Sequence, residues 1–76
     1  MITVKLFAPS WYPGLKMTGT LELEDGSALR DALRKAGISP LLAKLTITLV
    51  NGERAPLSRA LEDGDRVSVF PAISGG

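Results

Sequence analysis

The sequence has no cysteine and no histidine. Without them the usual zinc, haem and iron–sulfur ligand sets cannot be assembled. Cysteine nucleophiles, histidine general bases and disulfides are excluded by the same absence. Charge of one sign is also missing: nine Lys plus Arg against eight Asp plus Glu leave a net charge of +1. That balance does not suit a domain that grips phosphate backbones, so no nucleic-acid partner is expected. No apolar run approaches the roughly 18 residues a membrane span needs. Met1 to Phe7 alternates apolar and polar residues, which is not the unbroken apolar stretch of a signal peptide. No membrane partner is expected, and the expected location is cytoplasmic, where small domains fold without disulfide or metal staples.

What remains is a 76-residue chain, 45% hydrophobic and 22% charged, the composition of one small globular domain. A domain of this size buries only about 60% of the surface of its unfolded chain, which leaves little for a deep catalytic cleft.

Ile2, Val4 and Leu6 alternate with Thr3, Lys5 and Phe7, the period of a half-buried strand. Pro9 and Pro13-Gly14 enclose a loop around Ser10-Trp11-Tyr12. A second strand reads from about Met17 to Leu23, with Leu21 and Leu23 on one face. Asp25-Gly26 turns the chain, and Ser27 offers a helix N-cap. The helix is predicted over Ala28 to Ala36, with Leu29, Ala32, Leu33 and Ala36 on one stripe and Gly37 as its left-handed stop. Ile38, Leu41 and Leu42, around Pro40, are expected to carry the core across to the next strand.

Leu45, Ile47 and Leu49 alternate with Thr46 and Thr48, and Asn51-Gly52 then signals a two-residue hairpin. A brief return strand fits Glu53 to Ala55 before Pro56, and a single helical turn fits Leu57 to Leu61. Asp63-Gly64-Asp65 is a second tight turn, where a structural role for both carboxylates outweighs acid–base catalysis. Arg66 to Phe70 is the last strand, with Val67 and Val69 facing inward. The order β-β-α-β-β-β, with one helix to cover one sheet face, is that of an α+β, ubiquitin-like β-grasp with a mixed sheet of four to five strands. In such folds the first and last strands lie together, parallel, at the centre. The expected division is a β-grasp domain over 1–70 and an extended C-terminal tail over 71–76.

The tail reads Pro71-Ala72-Ile73-Ser74-Gly75-Gly76. Six residues without a strand partner reach about 20 Å from the body at ~3.3 Å per residue. The two glycines carry no Cβ and can thread a channel too narrow for any side chain. An unhindered carboxylate at Gly76 could then be presented to another protein's active site. A carboxylate becomes electrophilic once adenylation by ATP turns its oxygen into a leaving group.

The stretch from Asp63 to Gly76, together with the hairpin Leu49-Val50-Asn51-Gly52-Glu53, resembles the small subunit of molybdopterin synthase. It is also similar to the thiamine-biosynthesis sulfur carrier, and the resemblance extends along the whole element order. The resemblance implies a sulfur carrier protein and not an enzyme. Gly76 would carry the acyl-adenylate and then the thiocarboxylate, and Gly75 would be the slender spacer. Phe70, Pro71, Ile73 and Ser74 would contact partners. A ubiquitin-activating-enzyme-like adenylyltransferase would handle ATP and magnesium, with no cofactor bound by the carrier itself. A sulfur donor protein would supply the sulfur, and the large molybdopterin synthase subunit, or thiazole synthase, would receive it. Phe70-Pro71 favours the molybdopterin branch, which serves the molybdenum or tungsten cofactor. The alternatives are a carrier for thiamine thiazole synthesis, a ubiquitin-like modifier joined to lysines, and a non-catalytic β-grasp interaction domain.

Three further features have a structural and a functional reading. Trp11 and Tyr12, between prolines, are expected to cap the end of the core, with a partner surface as the alternative. Phe70 fits the core edge or a partner groove equally, whereas Ile73 lies too far out for the core and is assigned to binding. Arg30, Arg34 and Lys35 read as a solvated helix face rather than a patch for an acidic partner.

Overall fold

The computed structural model describes residues 1–71. Its elements are β1 (Ile2–Phe7), β2 (Gly19–Leu23), α1 (Leu29–Ala36), α2 (Pro40–Ala43), β3 (Thr46–Val50), β4 (Glu53–Arg54) and β5 (Arg66–Pro71). The strands form one five-stranded sheet in the order β2-β1-β5-β3-β4. β1 is antiparallel to β2, from Ile2 opposite Leu23 to Leu6 opposite Gly19. It is parallel to β5, which pairs antiparallel with β3 from Thr46–Pro71 to Val50–Val67. The first and last strands are therefore parallel neighbours inside the sheet, as a β-grasp requires.

Alternation along each strand decides what the sheet buries. Val4 and Leu6, Leu21 and Leu23, and Val67 and Val69 share one face, and all are buried. Helix α1 covers that face with Leu29, Ala32, Leu33 and Ala36, which have no measurable exposure. The helix stops at Gly37, whose φ of +102° is the left-handed conformation its position predicts. A side chain there would meet backbone as well as strain. A Cβ on Gly37 would overlap the Gly14 carbonyl oxygen and lie 2.8 Å from Lys16 Cγ. The loop after β1 crosses the helix end at this point, with Lys16 N–H donating to the Ala36 carbonyl at 2.7 Å.

Several local expectations need correction. β2 begins at Gly19, because the chain turns there with φ +89° and leaves Met17 and Thr18 outside the ladder. The N-cap is Ala28, not Ser27, and the helix starts at Leu29. Asp31 Oδ2 accepts the Ala28 N–H at 2.8 Å, while the Ser27 carbonyl is engaged by Leu61 N–H. Leu57 to Leu61 form no helical turn. Their carbonyls instead serve α1: Leu29 and Arg30 N–H donate to Arg59 and Leu57 oxygens at 2.8 and 3.0 Å. These first-turn donors have no acceptor inside their own helix, and Ala60 forms a bridge with Ala28 alongside.

A short helix, α2, stands where only a core crossing was expected. Ser39 Oγ accepts the Leu42 N–H at 3.2 Å and Pro40 occupies the first turn, so the local start signal is complete. Ile38 is buried and Leu42 partly so, but Leu41 points outward and is 75% exposed. β3 is inverted relative to its apparent apolar face. Thr48 and Val50 are the buried residues, while Ile47 and Leu49 are half-buried. Register is the cause: Thr48 lies opposite Val69 and Val50 opposite Val67, and cross-strand pairs share a face. The buried Thr48 hydroxyl is satisfied by donating to the Ala55 carbonyl at 2.7 Å.

Candidate functional site

The C-terminal strand β5 is paired with β3 along its length and with β1 over Arg66 to Ser68. β1 and β3 flank it, so its backbone groups pair in both directions. Its start is fixed by the turn at Asp63-Gly64-Asp65. Asp65 Oδ1 accepts from Asn51 Nδ2 at 2.9 Å, and Oδ2 accepts from Glu62 N–H at 2.8 Å. Arg59 Nη1 approaches the same Oδ2 at 3.4 Å. Burial pushes the Asp65 carboxyl up, but the Glu62 N–H, the Asn51 amide and the Arg59 guanidinium outweigh it and hold the group below its ordinary value. Asn51 also accepts from Arg66 N–H through Oδ1 at 3.0 Å and donates its own N–H to the Arg66 carbonyl at 2.8 Å. Thr3 N–H donates to Asp63 Oδ1 at 2.7 Å, tying the turn to β1. Both turn carboxylates are therefore structural, as their position predicts.

At its other end β5 extends one residue further than its sequence suggests. Pro71 belongs to the strand and lies opposite Thr46, a position that tolerates the missing N–H at a strand terminus. The described chain thus ends on a fixed anchor. Beside it, the Tyr12 hydroxyl hydrogen-bonds Thr46 Oγ1, which donates onward to the Leu42 carbonyl at 2.9 Å. Tyr12 is buried at 3% exposure, so it caps the core end as expected, but its neighbour Trp11 is 63% exposed and does not.

The outer face of the sheet carries apolar side chains with no helix over them. Phe7 lies beside Ser68. Leu49 flanks Ser68 from the other side, and Ile47 lies opposite Phe70. Phe7, Phe70, Ile47 and Leu49 therefore share one surface beside the C-terminal end of β5. Phe7 is 49% and Phe70 46% exposed, and among the described residues no element packs on them. Phe70 thus lies on this outer face, half-buried.

Of the expected site residues, Phe70 and Pro71 are placed on or beside this surface. Ile73, Ser74, Gly75 and Gly76 lie outside the described residues. Phe7, Ile47 and Leu49 were not legible as site residues. The available signal was Ile47 and Leu49 alternating with a strand face that Thr48 could occupy only with a hydrogen-bond partner. Among the described residues no three acidic side chains gather to hold a metal ion, and no helix is long and apolar enough to cross a membrane. Arg30, Arg34 and Lys35 are exposed on α1, with Lys35 Nζ donating to the Glu22 carbonyl.

Residues 4–76 match the sequence profile of the ThiS family. No curated protein sequence matches the chain. Among solved structures it is similar to SAMP1 from Haloferax volcanii, with a TM-score of 0.68 and 20% identity, over 97% of this chain and 99% of the other. A Pyrococcus furiosus protein described as a molybdopterin converting factor, subunit 1, is similar with a TM-score of 0.72 and 23% identity, over 96% of this chain and 100% of the other. At those identities the likeness concerns the fold, over nearly the whole length of each chain.

Proposed function

Since this chain belongs to the ThiS family, we propose that it is a ubiquitin-like sulfur carrier that works through the carboxyl group of Gly76. An adenylyltransferase partner joins that carboxylate to AMP, with ATP and magnesium held by the partner and pyrophosphate released. Hydrosulfide released by a donor protein then attacks the adenylated carbonyl, forming the C–S bond as the C–O bond to AMP breaks, and leaves a thiocarboxylate with AMP and a proton released. The chain is a protein cosubstrate in this sequence of steps, and Gly75 is the spacer that lets Gly76 reach a narrow active site.

The observation that carries the reading is the position of β5. It lies between β1 and β3, and it leads through Phe70 and Pro71 straight into Ala72–Gly76. A tail that follows a strand paired with β3 as far as Pro71 keeps its reach defined relative to the apolar face of Phe7, Ile47, Leu49 and Phe70. A partner that docks on that face receives the tail at a fixed offset, which reduces the ordering cost of presenting it. Ile73 and Ser74 make the contacts within the partner's channel.

We assign the sulfur to molybdopterin synthesis, with a large synthase subunit as acceptor. Phe70-Pro71 supports this branch, and the fold likeness to a converting factor subunit is in keeping with it. Thiazole synthase is the acceptor in the thiamine alternative.

The test is incubation with the activating enzyme, ATP, magnesium and a sulfur donor, followed by thiol alkylation and mapping. Exchange of oxygen for sulfur nearly matches the mass of one oxidised Met1 or Met17, so intact mass alone misleads. The chain has no cysteine, so an alkylated product at Gly76 establishes the thiocarboxylate. Stable adducts on target lysines would identify a protein modifier instead. Unchanged partner binding and cellular function after deletion of Gly75 and Gly76 would leave only an interaction domain.

A further inference from the structure

Helix α1 covers the inner face of the sheet, so its exposed side lies away from Phe7 and Phe70. There, α1, α2 and the segment after β4 bound a groove of about 140 Å³. Ile38, Pro40, Ala43 and Leu57 make its apolar part, and Arg30, Arg34 and Lys44 make the rest. An apolar cavity of about 150 Å³ holds a benzene-sized group. The groove therefore suits one aliphatic or aromatic side chain.

Its charge is one-sided. All three ionisable lining residues are cationic and none is acidic, in a chain whose net charge is only +1. Arg34 Nη1 lies 3.7 Å from Asp31 Oδ1, with both side chains well exposed. Among the described residues Arg30 and Lys44 make no ion pair. Long cationic side chains lay their methylene stems against apolar surface and hold their charged ends in water, so the rim presents positive charge around an apolar floor. A nucleic acid would use the charge but not the floor, and three cations are few for a phosphate backbone.

We propose that this groove is a second docking site, which receives a short segment of a partner protein where one large apolar side chain is flanked by Asp or Glu. The apolar side chain enters between Ile38, Ala43 and Leu57, and the flanking carboxylates meet Arg30, Arg34 and Lys44. Because the site lies on the opposite side from Phe70, it leaves the sheet face free, and it does not depend on the sulfur-carrier reading.

The test uses the full ¹⁵N-labelled chain and an acetylated, amidated peptide, Asp-Glu-Leu-Glu-Asp, followed by amide chemical shifts. Saturable shifts centred on Arg30, Arg34, Ile38, Ala43 and Lys44 are expected, with a Kd of about 1 mM or tighter. Replacing the peptide's Leu with Ser should abolish them, and raising ionic strength to about 0.5 M should weaken them severalfold. The double variant Arg30→Glu, Lys44→Glu changes exposed residues and should keep a folded spectrum while weakening binding about tenfold or more. Lys44→Glu alone provides the same comparison if the double variant loses its fold. No shifts at about 5 mM peptide, shifts at Phe7 and Phe70 instead, or indifference to charge reversal would overturn the proposal. Shifts at the groove amides produced by Ile73→Ala without peptide would make the chain's own tail the occupant. Shifts produced by raising protein concentration would make it a second copy. Either result overturns a partner-protein segment.

Discussion

Replacing Phe7 and Phe70 together by Ala tests whether the outer sheet face recognises the activating partner. Phe7 is 49% and Phe70 46% exposed, so docking can remove at most about half of each side chain from water. Fully burying such a side chain is worth ~1.5–3 kcal/mol, which makes the two exposed halves together worth about 1.4–2.9 kcal/mol. At about 1.4 kcal/mol per decade, the variant should bind about 10- to 120-fold more weakly. The assay is ATP–pyrophosphate exchange by the adenylyltransferase, with carrier concentration varied. The loss should appear in KM, because the reacting Gly76 is unchanged and the substituted residues supply docking energy alone. Phe70→Leu restores apolar area and should recover most of that residue's share. Leu41→Ala is the control: at 75% exposure on α2, it removes comparable apolar surface from the helix side and should leave KM within about twofold. The variants also lose the buried halves of both rings, so melting curves must show that they remain folded at the assay temperature. An unchanged KM in the folded double variant, or an equal effect of Leu41→Ala, would refute recognition through this face.

Gly37→Ala combines left-handed strain of ~1–2 kcal/mol with overpacking of ~1–3 kcal/mol against Gly14 and Lys16. Its Tm should fall by at least about 8 °C, whereas Gly52→Ala, with φ +85° and open space around the new Cβ, should show the strain alone; equal losses would contradict the backbone overlap. Asp65 is lowered in the folded state, so its stabilisation is fully present above the unfolded value near ~3.9 and is lost as pH falls through the lower folded value. Urea unfolding should therefore show stability dropping below about pH 4 in the parent and a flatter acid limb in Asp65→Asn, which also costs ~1–3 kcal/mol at neutral pH. Tyr12→Phe removes the donor to Thr46 Oγ1 but leaves that hydroxyl bonded to the Leu42 carbonyl. It should cost ~0.5–1.5 kcal/mol by thermal unfolding, and a larger loss would mean that the loop detaches from the core.

Much of the fold was legible because its signals are local. The alternation in β1 and β5, the stripe on α1, the Gly37 stop and the Asn51-Gly52 turn each depend on a few adjacent residues. At the start of α1 and over Leu57 to Leu61, a distant segment competes for the same groups. Ser27 is a better cap than Ala28 by type, yet its carbonyl is engaged by Leu61, and Asp31 closes the helix start. Leu57 to Leu61 could have made a helical turn, but their carbonyls accept from the first turn of α1. The helix α2 differs in that its start signal, Ser39-Pro40, is entirely local.

For the candidate site the division is the same. The diglycine, its place after the last strand, and the absence of cysteine and histidine are properties of the sequence alone, because reach, slenderness and ligand chemistry follow from residue type. The apolar outer face of the sheet is not. Leu45, Ile47 and Leu49 look like a buried stripe, and only pairing of β3 with β5 in its actual register turns Thr48 and Val50 inward and leaves Ile47 beside Phe70. A one-residue change of register exchanges the two faces of a strand. That choice is made by whichever pairing covers Val67 and Val69 with α1, and no window of neighbouring residues contains it.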